Sequence, residues 1–316
     1  MHVDLPTNKL PSRRDPARWQ RPVHDYPSIE SLIAEPAPPA GVLAVRAADT
    51  VIDILYDPQG AATTIVSFHA AITTSGVTLP YFTGGSLHGD TPVNRILLAD
   101  PALYRHETLT LAWYAGTDTL DLQHELPRLI EHLHRAAGGS RRLYFGGSGG
   151  GFAALFYGAP QPDVLSVAVN PQTIIANYTR AHVERYARTC LGARDDESTA
   201  DALKTIASDL RPVYRDSRNS VLYLQNTGDD HRSKHMEPFM ESGLDLQRIW
   251  TIERHWGAGH VAVPADELRR IVSTIVATPG DWATVMRTLQ VRPARWWRRA
   301  TDPAALGISA GSVWEA

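Results

Sequence analysis

Residues 141–154 read RRLYFGGSGGGFAA and carry the most specific pattern in the chain. Leu143, Tyr144 and Phe145 form a short β-prone run that predicts a buried strand. The GGSGG that follows places Ser148 in a G-x-S-x-G motif, and residues 152–157 (FAALFY) continue as an apolar helix. A strand, a sharp glycine turn and a helix are the context of a nucleophile elbow, which raises the serine to the tip of the turn.

The glycines around Ser148 have a physical role in this interpretation. A serine in so tight a turn occupies a strained φ/ψ region, where a neighbouring Cβ would collide with the strand or the helix. The backbone N–H of Gly149 would then point at the oxygen of an acyl group under attack, and Gly147 would line the same site. A phosphate loop is disfavoured, because a Walker motif requires Gly-Lys-Ser/Thr and a Rossmann fingerprint precedes the first helix of the chain.

Composition narrows the class of protein. The chain has 316 residues and a net charge of -3, which suits one large α/β domain or two small ones and gives no reason to expect nucleic acid or an anionic membrane as partner. We find no secretory signal and no run long enough for a transmembrane helix, so membrane insertion is not expected. The single cysteine, Cys190, excludes an internal disulfide and is expected to be a packing residue in a cytoplasmic protein.

Hydrophobic periodicity divides the chain into three parts. Residues 1–40 are rich in Pro and Arg and predict an N-terminal arm. Residues 41–279 predict an α/β domain, with 172–212 as a small helical cap insertion. Residues 280–316 form a C-terminal extension that contains Trp296-Trp297-Arg298-Arg299. The predicted strands are residues 42–46, 51–56, 63–68, 95–99, 108–113, 143–145, 164–169, 221–224 and 249–253. Their alternation with helical segments predicts a mostly parallel central sheet with helices on both faces.

Two acidic residues follow a predicted strand at the position where open α/β sheets carry their sites. Residues 225–230 (QNTGDD) place Asp229 and Asp230 just beyond the carboxyl end of that strand. A serine nucleophile needs a base, and the base needs an orienting acid. Asp229 is favoured as this acid because it comes first after the glycine turn. Asp230 remains the alternative and would otherwise line the site.

The candidate base follows the last predicted strand. Residues 255–260 read HWGAGH, and the glycines give the loop freedom to swing the imidazole of His260 over Ser148. His255 is the alternative base, but it sits closer to the strand and lacks flanking glycines. The predicted triad is therefore Ser148 as nucleophile, His260 as general base and then acid, and Asp229 as the residue that orients His260.

Two further groups of residues bear on the site. The second oxyanion donor usually comes from the loop after the third strand, here residues 67–71 (SFHAA), so the N–H of Ala70 or Ala71 is the candidate and His69 is expected to line the site. His231 and His235 lie one helical turn apart, as in a metal pair, but no third ligand with suitable spacing follows. We therefore expect no metal, and interpret both as site-lining or helix-surface residues.

Over residues 42–278 the sequence resembles the α/β-hydrolase superfamily, with GGSGG as its elbow, GDD as its acid turn and GAGH as its histidine loop. This resemblance implies a serine mechanism without a cofactor. The segments LLADPAL (97–103), LAWYAG (111–116), YFGGSGGGFAAL (144–155) and NPQT (170–173) also resemble a bacterial branch. That branch includes proteins near surface-glycan gene clusters and the acetyltransferase-like component of accessory secretion systems, which implies a glycan as acceptor or substrate.

These observations predict a serine hydrolase that cleaves a small-molecule or glycan ester, of the carboxylesterase or acetylesterase type, through an acyl-enzyme. An O-acyltransferase acting on a glycan would use the same residues. A hydrolase-fold module that binds a glycan or a partner without catalysis is the alternative from another class. The sequence does not indicate the acyl group, the alcohol or the oligomeric state.

Overall fold

The computed structural model describes residues 13–72 and 77–294. Within these residues the chain forms a nine-stranded sheet with the order β1-β2-β3-β5-β4-β6-β7-β8-β9. The strands are β1 (Val23–Tyr26), β2 (Gly41–Ala47), β3 (Thr50–Asp57), β4 (Thr63–Phe68), β5 (Asn94–Leu98), β6 (Arg141–Gly147), β7 (Val164–Val169), β8 (Ser220–Asn226) and β9 (Ile249–Arg254). The predicted Trp296–Arg299 patch lies outside the described residues.

The sheet is mostly parallel. Strands β5, β4, β6, β7, β8 and β9 pair in parallel in that order, whereas β3 runs antiparallel to both β2 and β5. All six residues of β4 are buried, as expected for a central strand covered on both faces. Because β6, β7, β8 and β9 are parallel, the loops that follow them meet at one edge of the sheet.

Helices cover both faces. They are α1 (Ile29–Ile33), α2 (Leu122–Ala136), α3 (Gly149–Gly158), α4 (Arg180–Cys190), α5 (Asp196–Ala202), α6 (Leu210–Val213), α7 (Glu237–Met240), α8 (Ala265–Ala277) and α9 (Trp282–Thr288). Alternate side chains of the strands pack against α1, α2 and α3 on one face and against α8 and α9 on the other. No helix in the described parts of the chain combines the length and the apolar character that a membrane span requires.

The predicted strand at 108–113 is wrong. This stretch is irregular, and its apolar side chains Leu109, Leu111 and Trp113 are buried beside the cap rather than paired in the sheet. Trp113 and Tyr114 both adopt a left-handed φ of 54°, and the N–H of Tyr114 donates to Oδ2 of Asp100 at 2.7 Å. An alternating apolar pattern indicates that side chains are buried. In residues 108–113 these side chains are buried by packing and not by pairing of a strand in the sheet.

The predicted arm and cap both contain regular structure. Within residues 13–40, β1 extends the sheet by pairing in parallel with β2, and α1 packs beside it. The predicted cap at 172–212 contains α4, α5 and most of α6, which ends at Val213. The side chain of Cys190 is fully buried between this cap and the body of the domain.

Candidate active site

The elbow brings strand β6 and helix α3 into very close contact. Ser148 joins them in a strained conformation, with φ 53° and ψ −117°. A Cβ on Gly146 would lie 2.0 Å from the carbonyl oxygen of Gly150, and a Cβ on Gly150 would lie 2.4 Å from that of Phe68. A Cβ on Gly147 would meet nothing closer than 3.7 Å. The two outer glycines of the motif are therefore required by sterics, whereas Gly147 is not.

The end of β7 and the loop after it form three hydrogen bonds with Ser148. The N–H of Ser148 donates to the carbonyl of Val169 at 2.9 Å, and the N–H of Gln172 donates to the carbonyl of Ser148 at 3.1 Å. The side-chain Nε2 of Gln172 also donates to Oγ of Ser148 at 2.9 Å. Oε1 of the same amide accepts a hydrogen bond from the indole N–H of Trp113.

Asp229 and His260 form a hydrogen-bonded pair, with Oδ2 of the aspartate 2.6 Å from Nδ1 of the histidine. The other carboxylate oxygen accepts from the backbone N–H of His231 at 3.0 Å. Burial alone would raise the pKa of Asp229, but the hydrogen bonds from His260 and His231 outweigh it and hold that pKa below its usual value. An ionised Asp229 keeps the hydrogen of His260 on Nδ1 and leaves Nε2 as a proton acceptor.

The two residues kept as alternatives occupy other positions. Asp230 is exposed and forms a surface ion pair with Lys234, one turn further along the chain. His255 is exposed and packs against Gly228. Among the described residues neither Asp230 nor His255 contacts the Asp229–His260 pair through a hydrogen bond.

Two asparagines hold the loop that carries His260. Asn226, the last residue of β8, donates through Nδ2 to the carbonyls of Gly257 at 2.9 Å and Gly259 at 2.8 Å. Asn170 donates to the carbonyl of Val261 at 2.8 Å and accepts from the N–H of Asn226 at 2.7 Å. Because both asparagines are fully buried at strand ends, they tie the histidine loop to the edge of the sheet.

Ser148 and His260 lie at the same edge but are not hydrogen-bonded. Within residues 13–72 and 77–294, the only side-chain partner of the Ser148 hydroxyl is Gln172. The serine is nearly buried, at 6% exposure, whereas the side chain of His260 is 41% exposed. Catalytic hydrogen bonds are often long in ligand-free proteins and tighten when substrate binds.

Backbone donors surround the elbow. Gly150 packs against the carbonyls of Phe68 and His69, so the loop after β4 lies beside the first turn of α3. In the described parts of the chain, the N–H groups of Gly149, Ala70 and Ala71 have no hydrogen-bond acceptor. His69 is buried and uses both ring nitrogens, Nδ1 to the carbonyl of Ala70 at 2.7 Å and Nε2 to the N–H of Asp100 at 3.2 Å.

His231 and His235 are both buried, so the helix-surface interpretation is wrong for the pair. The ring of His231 lies 4.2 Å from that of His260, and its Nδ1 is 3.0 Å from the carbonyl of Asn170. Burial, and next the neighbouring His260, lower the pKa of His231. Asp229, His231 and His260 present possible metal-ligand atoms within 4.8 Å of one another, although Asp229 and His260 already satisfy each other.

Four polar residues of the site were missed from the sequence: Trp113, Asn170, Gln172 and Asn226. Asn226 ends β8, Asn170 directly follows β7, and Gln172 lies two residues further on, which is the kind of position that marked Asp229. The segment NPQT (170–173) was noted only as a point of resemblance, although it contains Asn170 and Gln172. Trp113 carried no such signal, because its stretch was interpreted as a strand.

The sheet order, the elbow between β6 and α3, and the loops after β8 and β9 define an α/β-hydrolase fold, which confirms the prediction from sequence. No protein-family model and no curated protein matches the chain.

Among solved structures, the chain is similar to the capsule O-acetyltransferase of Neisseria meningitidis serogroup A, with a TM-score of 0.58 and 13% identity over 76% of this chain and 96% of that chain. A 2,6-dihydroxy-pseudo-oxynicotine hydrolase gives a TM-score of 0.51 and 12% identity over 76% and 69% of the respective chains. Acetyl xylan esterase 1 from a Thermoanaerobacterium species gives 0.50 and 12% over 76% and 82%. At these identities the similarity establishes the fold.

Proposed function

We propose that this chain is a serine-dependent ester hydrolase of the carboxylesterase or acetylesterase type. The observation that carries the proposal is that Ser148 at the elbow and the Asp229–His260 pair share the carboxyl edge of the parallel strands. A strained serine, an imidazole whose Nε2 has no hydrogen-bond partner among the described residues, and a buried orienting carboxylate are the parts that activate a hydroxyl nucleophile.

In the first step Ser148 attacks the ester carbonyl. Its proton passes to Nε2 of His260 while the bond between Oγ and the carbonyl carbon forms, and Asp229 stabilises the imidazolium that results. The N–H of Gly149 and that of Ala70 or Ala71 stabilise the negative charge on the carbonyl oxygen. Such a donor typically contributes about 3 kcal/mol of transition-state stabilisation.

In the second half of the reaction the alcohol leaves with the proton held by His260, and the acyl group stays on Ser148. Water then attacks the acyl-enzyme while His260 removes one of its protons, and the free acid is released. No step of this mechanism requires a cofactor.

An O-acyltransferase that uses a glycan hydroxyl in place of water is the second candidate. It is supported by the TM-score to the capsule O-acetyltransferase, which is higher than the scores to the esterase and the hydrolase. The NPQT segment (170–173) resembles a bacterial branch that includes acetyltransferase-like proteins, which also supports transfer to a glycan. Product analysis with an acyl ester and a sugar acceptor separates the two, because hydrolysis yields free acid and transfer yields a new ester.

Labelling with a fluorophosphonate probe, read by mass spectrometry, tests the proposal. We expect one adduct on Ser148, its loss in Ser148→Ala, and normal labelling of Ser233→Ala, a matched change at a serine outside the elbow. An adduct that survives Ser148→Ala would remove Ser148 from the role. Absence of an adduct on the folded wild-type protein would favour the non-catalytic binding module.

A further inference from the structure

Gln172 is the only side chain in the described residues that forms a hydrogen bond with the hydroxyl of Ser148. We propose that Gln172, oriented by Trp113, is a further catalytic residue that directs the Ser148 proton toward His260 and stabilises the negative charge that develops on Oγ. This inference rests on the proposed function, in which Ser148 is the nucleophile.

The direction of the hydrogen bonds follows from the chemistry of the three groups. An indole nitrogen only donates, so the amide of Gln172 must turn its oxygen toward Trp113 and its nitrogen toward Ser148. An amide nitrogen also only donates, so Oγ of Ser148 must accept. The single hydroxyl hydrogen of Ser148 is therefore left to donate elsewhere, and Nε2 of His260 is the acceptor that the mechanism requires.

Both residues are held firmly in place. Gln172 is fully buried, and its main-chain N–H is bonded to the carbonyl of Ser148. Trp113 is 1% exposed and is packed edge-on by Tyr178 and Tyr186, with ring centroids 6.0 and 5.5 Å away. Its φ of 54° is unusual for a residue with a large side chain, and such strain persists only where the surrounding structure imposes it.

A donor at Oγ assists both halves of the reaction. As Ser148 loses its proton to His260, negative charge builds on Oγ before the new bond is complete, and the amide N–H of Gln172 stabilises it. When the acyl-enzyme breaks down, Oγ leaves as a developing alkoxide and meets the same donor. Because the amide is buried and already oriented, it needs no reorganisation at the moment of reaction.

The test is the second-order rate of fluorophosphonate labelling, in which the Oγ–P bond forms, the P–F bond breaks, fluoride leaves and the serine proton passes to His260. Gln172→Met keeps the length of the side chain and removes the donor, and we expect a loss of about 10- to 100-fold. Gln123→Met is the control, because Gln123 bridges to Ala207 away from the site.

Gln172→Glu distinguishes a catalytic role of Gln172 from a structural one through the pH dependence of the labelling rate. Its carboxylate would accept the Ser148 hydrogen and draw it away from His260, whereas its protonated form would again donate to Oγ. We therefore expect the ratio of the Gln172→Glu rate to the Gln172→Met rate to rise as the pH falls from 8 to 5.

Trp113→Phe keeps Gln172 but removes the group that orients it, so we expect a loss smaller than that of Gln172→Met. Trp282→Phe, at an indole bonded to the carbonyl of Asp163, is its control.

Wild-type labelling rates in folded Gln172→Met, or a rate ratio independent of pH, would overturn the inference while Ser148 remains the nucleophile. If Gln172→Met does not fold, a wild-type rate in Trp113→Phe overturns it. An unlabelled wild-type Ser148 would overturn the proposed function and this inference with it.

Discussion

The carboxylate of Asp229 and the imidazole of His260 lie 2.6 Å apart, although 31 positions separate them in the sequence. Because this is the only side-chain hydrogen bond of the imidazole among the described residues, Asp229→Asn should lower the rate of fluorophosphonate labelling by about a thousand-fold or more. The asparagine amide that replaces the carboxylate stabilises neither the His260 tautomer with its hydrogen on Nδ1 nor the imidazolium.

Asp230→Asn is the matched control for this substitution. It changes the neighbouring residue in the same way but disrupts only a surface ion pair with Lys234, so the labelling rate should stay at the wild-type level. Equal losses in the two variants would contradict the assignment of Asp229 as the orienting acid.

Removal of the Asn226 side chain should release the histidine loop. Asn226→Ala loses the hydrogen bonds to Gly257 and Gly259, so we expect a loss of about 1–3 kcal/mol in the free energy of unfolding. We also expect at least about a ten-fold slower labelling of the folded protein, because His260 is no longer held near Ser148. Urea denaturation and the labelling rate measure the two effects.

Asn219→Ala separates these effects. Asn219 is equally buried but precedes β8, at the end of the strand opposite the site, where it bonds to Ser166 and Tyr214. This substitution should lower stability without slowing the labelling of the folded protein. Parallel changes in both quantities for Asn219→Ala would mean that labelling follows global stability.

The glycines of the elbow should differ in their tolerance of a methyl group. Gly150→Ala would place Cβ 2.4 Å from the carbonyl oxygen of Phe68 and 2.6 Å from that of His69, so we expect a destabilisation of about 1–3 kcal/mol. It should also slow labelling, because it displaces the loop that carries the Ala70 and Ala71 donors. Gly147→Ala, with 3.7 Å of clearance, should change stability by less than about 1 kcal/mol. Thermal denaturation distinguishes the two, and an equal loss for both would contradict the steric explanation.

Buried histidines should make the protein less stable in mild acid. Burial lowers the pKa of His69 to about 4 and that of His235 to about 3, against an ordinary value of 6.5. Their contribution to stability is complete above pH 6.5. It is lost as the pH falls toward the folded-state values, because the unfolded chain takes up these protons first.

His235→Asn tests this linkage. Each such histidine should contribute up to about 1.4 kcal/mol per pH unit to the slope of the unfolding free energy between pH 6.5 and 4.5. Replacement of His235 should flatten that slope by this amount, since an asparagine oxygen can still accept from the N–H of Thr173. His124→Asn, at an exposed side chain, should leave the slope unchanged. If the slope is the same in His235→Asn and His124→Asn, His235 is not a source of the pH dependence of the unfolding free energy.

Local sequence patterns were sufficient for the elbow and for most strands, although β1 and α1 within the predicted arm were missed. The strand, the glycine turn and the apolar helix around Ser148 are specified by adjacent residues, since the periodicity and the steric demand for Gly146 act over a few positions. The demand for Gly150 comes from the distant carbonyls of Phe68 and His69. The alternation of strands and helices predicted the mostly parallel sheet, and the resemblance of the elbow, acid turn and histidine loop implied the α/β-hydrolase fold. The strand predicted at 108–113 failed because burial and strand pairing leave the same apolar pattern in a sequence.

Only the tertiary structure shows which residues of distant segments contact one another in the site. The glycine turn favoured Asp229 over Asp230, but contact with His260 depends on how Asn170 and Asn226 connect the loops after β8 and β9. Nor does the sequence show that Trp113 orients Gln172 toward Ser148. Such hydrogen bonds form only when the sheet brings the ends of separate strands to one edge, so sequence alone predicts the candidate residues and tertiary packing determines which of them interact.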